Sequence, residues 1–187
     1  MWCAVGNGLS NQTFIDAPDG IIAIDTGESI EEMTDALAHL RTVTDRPIAA
    51  VVYSHFHYVG GTAAIGHEVP VYGHHRIAAN RARAGGAIGP GYGRGLVYQF
   101  GTSLPPDGPD GLFGVGLGLY YRNPAHGPCT TGHVPVTHPL NGGEEIEIAG
   151  LPMMRASSAW ISTGVWPGKM RQLTLASTRC GSALAAW

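Results

Sequence analysis

Charge is scarce in this chain: 13% of its 187 residues are charged, and its eleven basic residues include a single lysine, Lys169. A usual globular share is about a quarter, and with 44% apolar residues a disordered polyelectrolyte is excluded. Long apolar runs are also missing. Ile48 to Tyr53 is among the longest, far short of the roughly 18 to 20 residues that cross a bilayer, so no membrane-spanning helix is expected. Met1-Trp2-Cys3 has neither a basic start nor an apolar signal core, so export is not encoded in this stretch and the default location is cytoplasmic. The net charge of −3 with scattered arginines lacks the basic stripe of a nucleic-acid binder. Cys3, Cys129 and Cys180 are too few and too far apart for a disulfide framework or a metal knuckle. They read as ordinary thiols.

Glycine and proline, by contrast, are abundant, at 28 and 13 residues, and predict many turns and long loops. A length of 187 residues allows one domain and leaves no room for two large ones.

The composition breaks near residue 150. All acids and all histidines precede Leu151, whereas residues 151–187 hold Arg155, Lys169, Arg171, Arg179 and three of the four tryptophans. Three readings stay open: a basic C-terminal arm, out-of-frame or recombined sequence, and an ordinary amphipathic ending. The expected organisation is a domain over 1–150 followed by a composition-shifted tail over 151–187.

Gly20 to Asp25 and Pro47 to Tyr53 are apolar, β-branched runs bounded by turn residues, the pattern of buried strands. Between them, Ser29-Ile-Glu-Glu offers a helix N-cap with acids in the first turn, and Met33, Leu37 and Leu40 follow at helical spacing. Strand, helix, strand gives one βαβ unit with parallel strands. A hairpin is expected through Ala17 to Gly20, a short helix from Gly60, a strand over Val69 to Tyr72, a helix over His74 to Arg83, and a strand over Glu144 to Ile148. Gly85 to Pro139 has no clear period and reads as a functional or lid-like loop.

His55 and His57 sit at the C-terminal end of the second strand, where open α/β sheets place their ligand sites. Two histidines one residue apart can converge on one ion, although a lone pair of this kind can equally hydrogen-bond the backbone. Asp25 ends the neighbouring strand, so a carboxylate is expected near the pair, as a group that fixes the histidine loop rather than as a ligand. His74-His75 read as helix surface, and His126, His133 and His138 as loop residues that are at most adventitious ligands. Gly114, Gly116 and Gly118 lack the following helix of a phosphate loop.

Val51-Val-Tyr-Ser-His55-Phe-His57-Tyr58-Val59-Gly60-Gly61 resembles the THxHxDHxGG loop of the metallo-β-lactamase superfamily. Leu9-Ser-Asn-Gln-Thr-Phe14, Tyr98-Gln-Phe-Gly101, Leu104-Pro, Gly108-Pro and Gly114-Val-Gly-Leu-Gly118 resemble, more narrowly, its alkylsulfatase branch, the linear primary-alkylsulfatases, over residues 1–150. The resemblance implies an α/β (α+β) fold, the αββα sandwich, incomplete at its C-terminal half. It also implies a binuclear zinc centre and hydrolysis of a small alkyl sulfate ester by a metal-bound hydroxide. Carry-over by position is limited to His55 and His57, as ligands of one metal; Tyr98, Gln99 and Gly101 match a segment that in the family lies near the substrate, and otherwise shape the loop.

The sequence also departs from that pattern. Between Tyr58 and Val59 the family motif has an Asp-His pair that this chain lacks, and residues 151–187 hold no acid or histidine. Catalytic zinc generally takes three protein ligands and a water; two are assignable here. An alternative alignment anchored on Gly60-Gly61 moves His57 and Tyr58 onto the Asp and His positions but forfeits the strand match. The expectation is therefore an impaired hydrolase that binds one zinc weakly or none, and the rival is a truncated, non-catalytic remnant. The sequence supplies recognisable strands for little more than one sheet, so an exposed apolar sheet face and self-association are expected.

Overall fold

The computed structural model describes residues 1–85, 91, 94–95, 97–98, 104–105, 108–111, 123–141, 145–155, 160–162 and 171–174. In chain order the strands and helices are β1 (Trp2–Val5), β2 (Gln12–Ala17), β3 (Gly20–Ile24), α1 (Ile30–Leu40), β4 (Ile48–Val52), β5 (Val71–His74), α2 (Ile77–Gly85), β6 (His138–Leu140), β7 (Glu145–Ile148), β8 (Leu151–Arg155), β9 (Trp160–Ser162) and β10 (Arg171–Thr174). A seven-stranded mixed sheet runs β10-β1-β2-β3-β4-β5-β6, and β7-β8-β9 form a separate antiparallel sheet.

The centre of the large sheet is the βαβ unit read from the sequence. β3 and β4 pair in parallel, with Ala23 opposite Val51 and Ile24 opposite Val52, and β2 and β3 form the hairpin that closes with Ala17 opposite Gly20. Their continuous apolar runs follow from burial on both faces. Alternation along a strand sends Ile21, Ala23, Val51 and Tyr53 to one side, where they pack with Phe14 and with Met33, Ala36 and Leu40 of α1. Ile22, Ala50 and Val52 go to the other side, against Ile148 and Met153 of the small sheet. α1 starts where the sequence signals: the Ser29 hydroxyl accepts from the Glu32 amide at 3.1 Å, and Glu31 and Glu32 lie in its first turn, favourably placed at the positive end of the helix dipole.

The structure corrects the expectation of a bare sheet face. The small sheet and α1 cover opposite faces of the large one. Single-sequence periodicity undercounted the strands because several, such as β6 (three residues) and β9 (three residues), are too short to show a period. The strand expected at Val69 to Tyr72 lies two residues later as β5, which takes His74 out of the following helix. The helix expected from Gly60 is a single 3₁₀ turn over Thr62–Ala64.

The composition break at residue 150 falls inside a hairpin. β7 and β8 pair with Ile148 opposite Leu151, and Ala149 and Gly150 turn the chain with positive φ. β10, from the same composition-shifted stretch, pairs in parallel with β1.

Candidate metal centre

β3 and β4 end side by side, and the site grows from those ends. Asp25 follows β3 with φ of 55°, in the left-handed region that aspartate tolerates better than most residues. Its amide donates to the Val52 carbonyl at 2.9 Å, so its side chain has a fixed origin. The carboxylate accepts from the Ser54 amide at 2.9 Å and from the Ser54 hydroxyl at 2.5 Å. That hydroxyl also lies 2.8 Å from Nδ1 of His55. With Asp25 ionised, the hydroxyl hydrogen goes to the carboxylate and Ser54 Oγ accepts from His55 Nδ1–H. Nε2 of His55 then carries the lone pair that faces away from the frame.

His55 and His57 come together, with ring centroids 5.1 Å apart and planes at 71°. Tyr58 stands 5.1 Å from His55, and Phe56 4.0 Å from His57. Burial lowers the pKa of both histidines. For His57 the neighbouring His55 lowers it further, while Glu28 opposes both.

The loop that carries these rings is pressed onto the Thr26–Ser29 turn. Thr26 donates its amide to the Tyr58 carbonyl at 2.8 Å, and Gly60 donates to Gly27 at 2.9 Å. A Cβ at Gly60 would lie 2.0 Å from the Glu28 carbonyl oxygen, and one at Gly61 2.2 Å from that of Thr26. Only glycine fits this backbone contact. Beneath the loop, the buried Tyr53 hydroxyl donates to the Val134 carbonyl at 2.8 Å and lies 2.6 Å from Thr62 Oγ1, which in turn meets Thr26 Oγ1 at 2.9 Å. Burial raises the Tyr53 pKa to about 12, so the phenol stays protonated.

The donor set does not fit a zinc pair. Among the described residues no group of three or more histidine, cysteine, aspartate or glutamate side chains could hold a metal ion. The Asp25 carboxylate is engaged by Ser54. His133 stacks on Tyr53 at 5.8 Å and hydrogen-bonds the Val59 carbonyl. His126 is buried beside Asp35, at 3.4 Å. His74 stacks on His75, and His138 on Tyr72. Of the residues expected near substrate, Tyr98 is 89% exposed, and Gln99 and Gly101 lie outside the described residues, as do Gly114, Gly116 and Gly118.

Two groups of residues went unremarked in the sequence. One is the buried carboxylate of Glu32, which accepts from Gln12 Nε2 at 2.6 Å and from the Glu28 amide at 2.9 Å. Its signal was present: Ser29 and Glu32 have the spacing of a capping box. The other is a cavity of about 240 Å³ beside the histidine loop, lined by Glu28, His57, Gly60, Arg81, Cys129 and Thr131. Its residues come from four separate stretches of chain, and no sequence spacing announces it.

Asp25 makes the frame sensitive to pH. Burial raises its pKa from 3.8 to about 6, against the opposing hydrogen bonds from Ser54. A folded-state pKa above the unfolded one means that the folded protein holds the proton more tightly. The stabilisation is full below about pH 4 and is lost as pH rises towards 6, a change of about 3 kcal/mol. We expect the stability difference between Asp25→Asn and the parent to move in favour of the variant by about that amount between pH 4 and pH 7.5, read from urea midpoints. A difference constant with pH contradicts the assignment.

No family model matches the chain. A linear primary-alkylsulfatase from a Pseudomonas species is 35% identical over 99 residues, covering 48% of this chain and 19% of that protein. The solved structure of a stereoselective inverting sec-alkylsulfatase, Pisa1, from Pseudomonas sp. superposes with a TM-score of 0.67 at 24% identity, covering 79% of this chain and 24% of that one. A metallo-β-lactamase from Cronobacter sakazakii superposes with a TM-score of 0.50 at 16% identity, covering 84% and 53%. The fold is thus part of the metallo-β-lactamase fold. Over those 99 residues the chain is similar in sequence to a linear primary-alkylsulfatase, and its fold is similar to that of the sec-alkylsulfatase. It spans about a fifth of the length of the curated relative and about a quarter of the solved sulfatase.

Proposed function

We propose that the chain is a sulfate ester hydrolase of the alkylsulfatase type, metal-dependent by family, whose own metal site is impaired. Support comes from the similarity to a linear primary-alkylsulfatase. The site reading rests on one observation: His55 and His57 face each other at 5.1 Å with no third ligand grouped with them among the described residues. Two imidazoles leave two positions of a tetrahedral zinc ion to water, short of a firm site. His55 and His57 are the residues that would hold one ion weakly, with Asp25 orienting His55 through Ser54. No hydroxide-forming step is assigned to this chain, because such a step needs a firmly held Lewis acid.

The second reading is a non-catalytic partial chain. It is favoured by the absence of an Asp-His pair between Tyr58 and Val59 and of acids after residue 150. In both readings the composition break at 150 is a change in sequence character that the β7–β8 hairpin bridges.

The test is elemental analysis of protein purified without added zinc, followed by turnover of dodecyl sulfate with and without it. We expect at most one zinc per chain, lost on dialysis, and slow or no hydrolysis. Two tightly held metals per chain, or rapid turnover abolished by His55→Ala with His57→Ala, overturns the impaired site. Inserting Asp-His after Tyr58 and appending the downstream half of a complete relative tests the family reading. An inert chimera beside an active relative counts against it.

A further inference from the structure

The histidine loop is tied down at every second residue. Ser54 is held on the Asp25 carboxylate through its amide and its hydroxyl. The Tyr58 carbonyl accepts from the Thr26 amide, and Gly60 is bonded to Gly27 and Gly132. Between these ties, the Phe56 carbonyl accepts from Nη1 of Arg81 at 3.3 Å. The alternate residues, His55 and His57, are the two whose rings meet at 5.1 Å. Of the four ties, the one at Phe56 comes from a helix side chain, 25 residues further along the chain.

The placing of Arg81 has a local cause. Ile77, the first residue of α2, is 4% exposed and sits in the core with Val51 and Tyr53. Arg81 follows it by four residues and so lies on the same helix face one turn on, half-buried and lining one cavity with His57. A guanidinium is permanently charged and donates from a rigid plane, and a charged donor holds a carbonyl more firmly than a neutral one. The Phe56 carbonyl and the His57 amide belong to one planar peptide unit. Fixing that oxygen therefore fixes the plane from which the His57 side chain departs, whereas His55 is set separately through Ser54 and Asp25.

We propose that Arg81 is a positioning residue for the histidine pair: by holding the peptide between Phe56 and His57, it turns the His57 imidazole towards His55. The proposal rests on the reading of His55 and His57 as the residues that would hold an ion, and it concerns their arrangement in the protein without one.

NMR of the histidine rings in metal-stripped protein tests it, at about pH 8.5, two units above the ordinary histidine pKa, so that both rings are neutral. The variants are Arg81→Met, which keeps an apolar stem and loses every donor, and Arg81→Lys, which keeps a charged donor. Both are good helix formers, and thermal melts confirm that each is folded. The parent should show a nuclear Overhauser contact between the two rings. Arg81→Met should lose that contact and shift the His57 ring signals while those of His55 stay in place. Arg81→Lys should restore the contact in part, since it can donate but lacks the planar fork. A contact that survives in Arg81→Met or is missing from the parent, or both rings shifting alike, overturns the proposal. Zinc affinity of the same three proteins, read by competition with a coloured chelator, separates this result from the ion-holding reading. Binding about tenfold weaker in Arg81→Met together with the lost contact supports both. Arg81-dependent ring geometry in a protein that binds no zinc upholds the positioning role and removes the ion-holding reading instead.

Discussion

Replacing Gly61 with alanine should lower the melting temperature by about 10 °C. The added methyl would lie 2.2 Å from the Thr26 carbonyl oxygen and 2.5 Å from both the Ser29 carbonyl oxygen and Met33 Cβ. Two of these neighbours are backbone, fixed by α1 and by the hydrogen bonds to Tyr58 and Gly60, so neither can swing aside as a flexible side chain would. Overpacking of this kind costs about 3 kcal/mol at the severe end of the usual range. A protein of this size loses about 2 to 4 °C for each kcal/mol. Gly60→Ala should behave alike, because its methyl would meet the Glu28 carbonyl at 2.0 Å. Gly95→Ala is the control, since nothing lies within 4 Å of a Cβ built there. Differential scanning calorimetry of the three variants decides it, and a Gly61→Ala melt within 2 °C of the parent (about 1 kcal/mol or less) would show that the loop is not pressed onto the turn as described.

Loss of the Glu32 carboxylate should rank second. Glu32 is 4% exposed, and its two oxygens accept from Gln12 Nε2 and from the Glu28 amide. Gly8 and Gly27 crowd the same carboxylate, each with its Cβ position within 2.6 Å of Oε1. Asn7 Nδ2 donates to the Glu32 carbonyl at 2.8 Å, so one residue ties the β1–β2 connection to the turn that supports the histidine loop. Glu32→Ala strips two donors of their acceptor and opens a void, for about 2 to 4 kcal/mol. The isosteric Glu32→Gln should rescue little of it, because its amide nitrogen would set a donor against a donor. Urea midpoints read both; a Glu32→Gln protein as stable as the parent would mean that the carboxylate is replaceable by shape.

The parts of the fold legible in the sequence are those whose cause is local. The β3–α1–β4 unit declares itself through two apolar runs and a capped helix, because burial on both faces and the exposed helix N-terminus each demand particular residues within a few positions. His55 and His57 are legible for the same reason: one residue apart at a strand end, they share a loop. Glu32, Gln12 and Asn7 escape because their contacts join positions 20 and 25 residues apart. A buried hydrogen-bond network leaves no periodic trace. Arg81 escapes because a single arginine on a short helix has the spacing of any solvated residue, and only the packing of α2 beside Phe56 gives it a direction. β5 starts two residues later than the apolar pattern suggests, because Val69, Pro70 and Val71 read as one run while pairing with β4 starts at Val71.

Apart from the buried Asp25 carboxylate, the frame under the histidine loop is built from neutral groups: the Tyr53 phenol, the hydroxyls of Thr62 and Thr26, and backbone carbonyls. Such contacts carry no net charge for counterions to screen. The ion pair of Arg46 with Asp16 is a different case, being exposed on the β2–β3 hairpin side of the molecule, where roughly 0.15 M salt already damps interactions beyond about 8 Å. Raising ionic strength should therefore loosen that surface tie and leave the geometry of the loop unchanged.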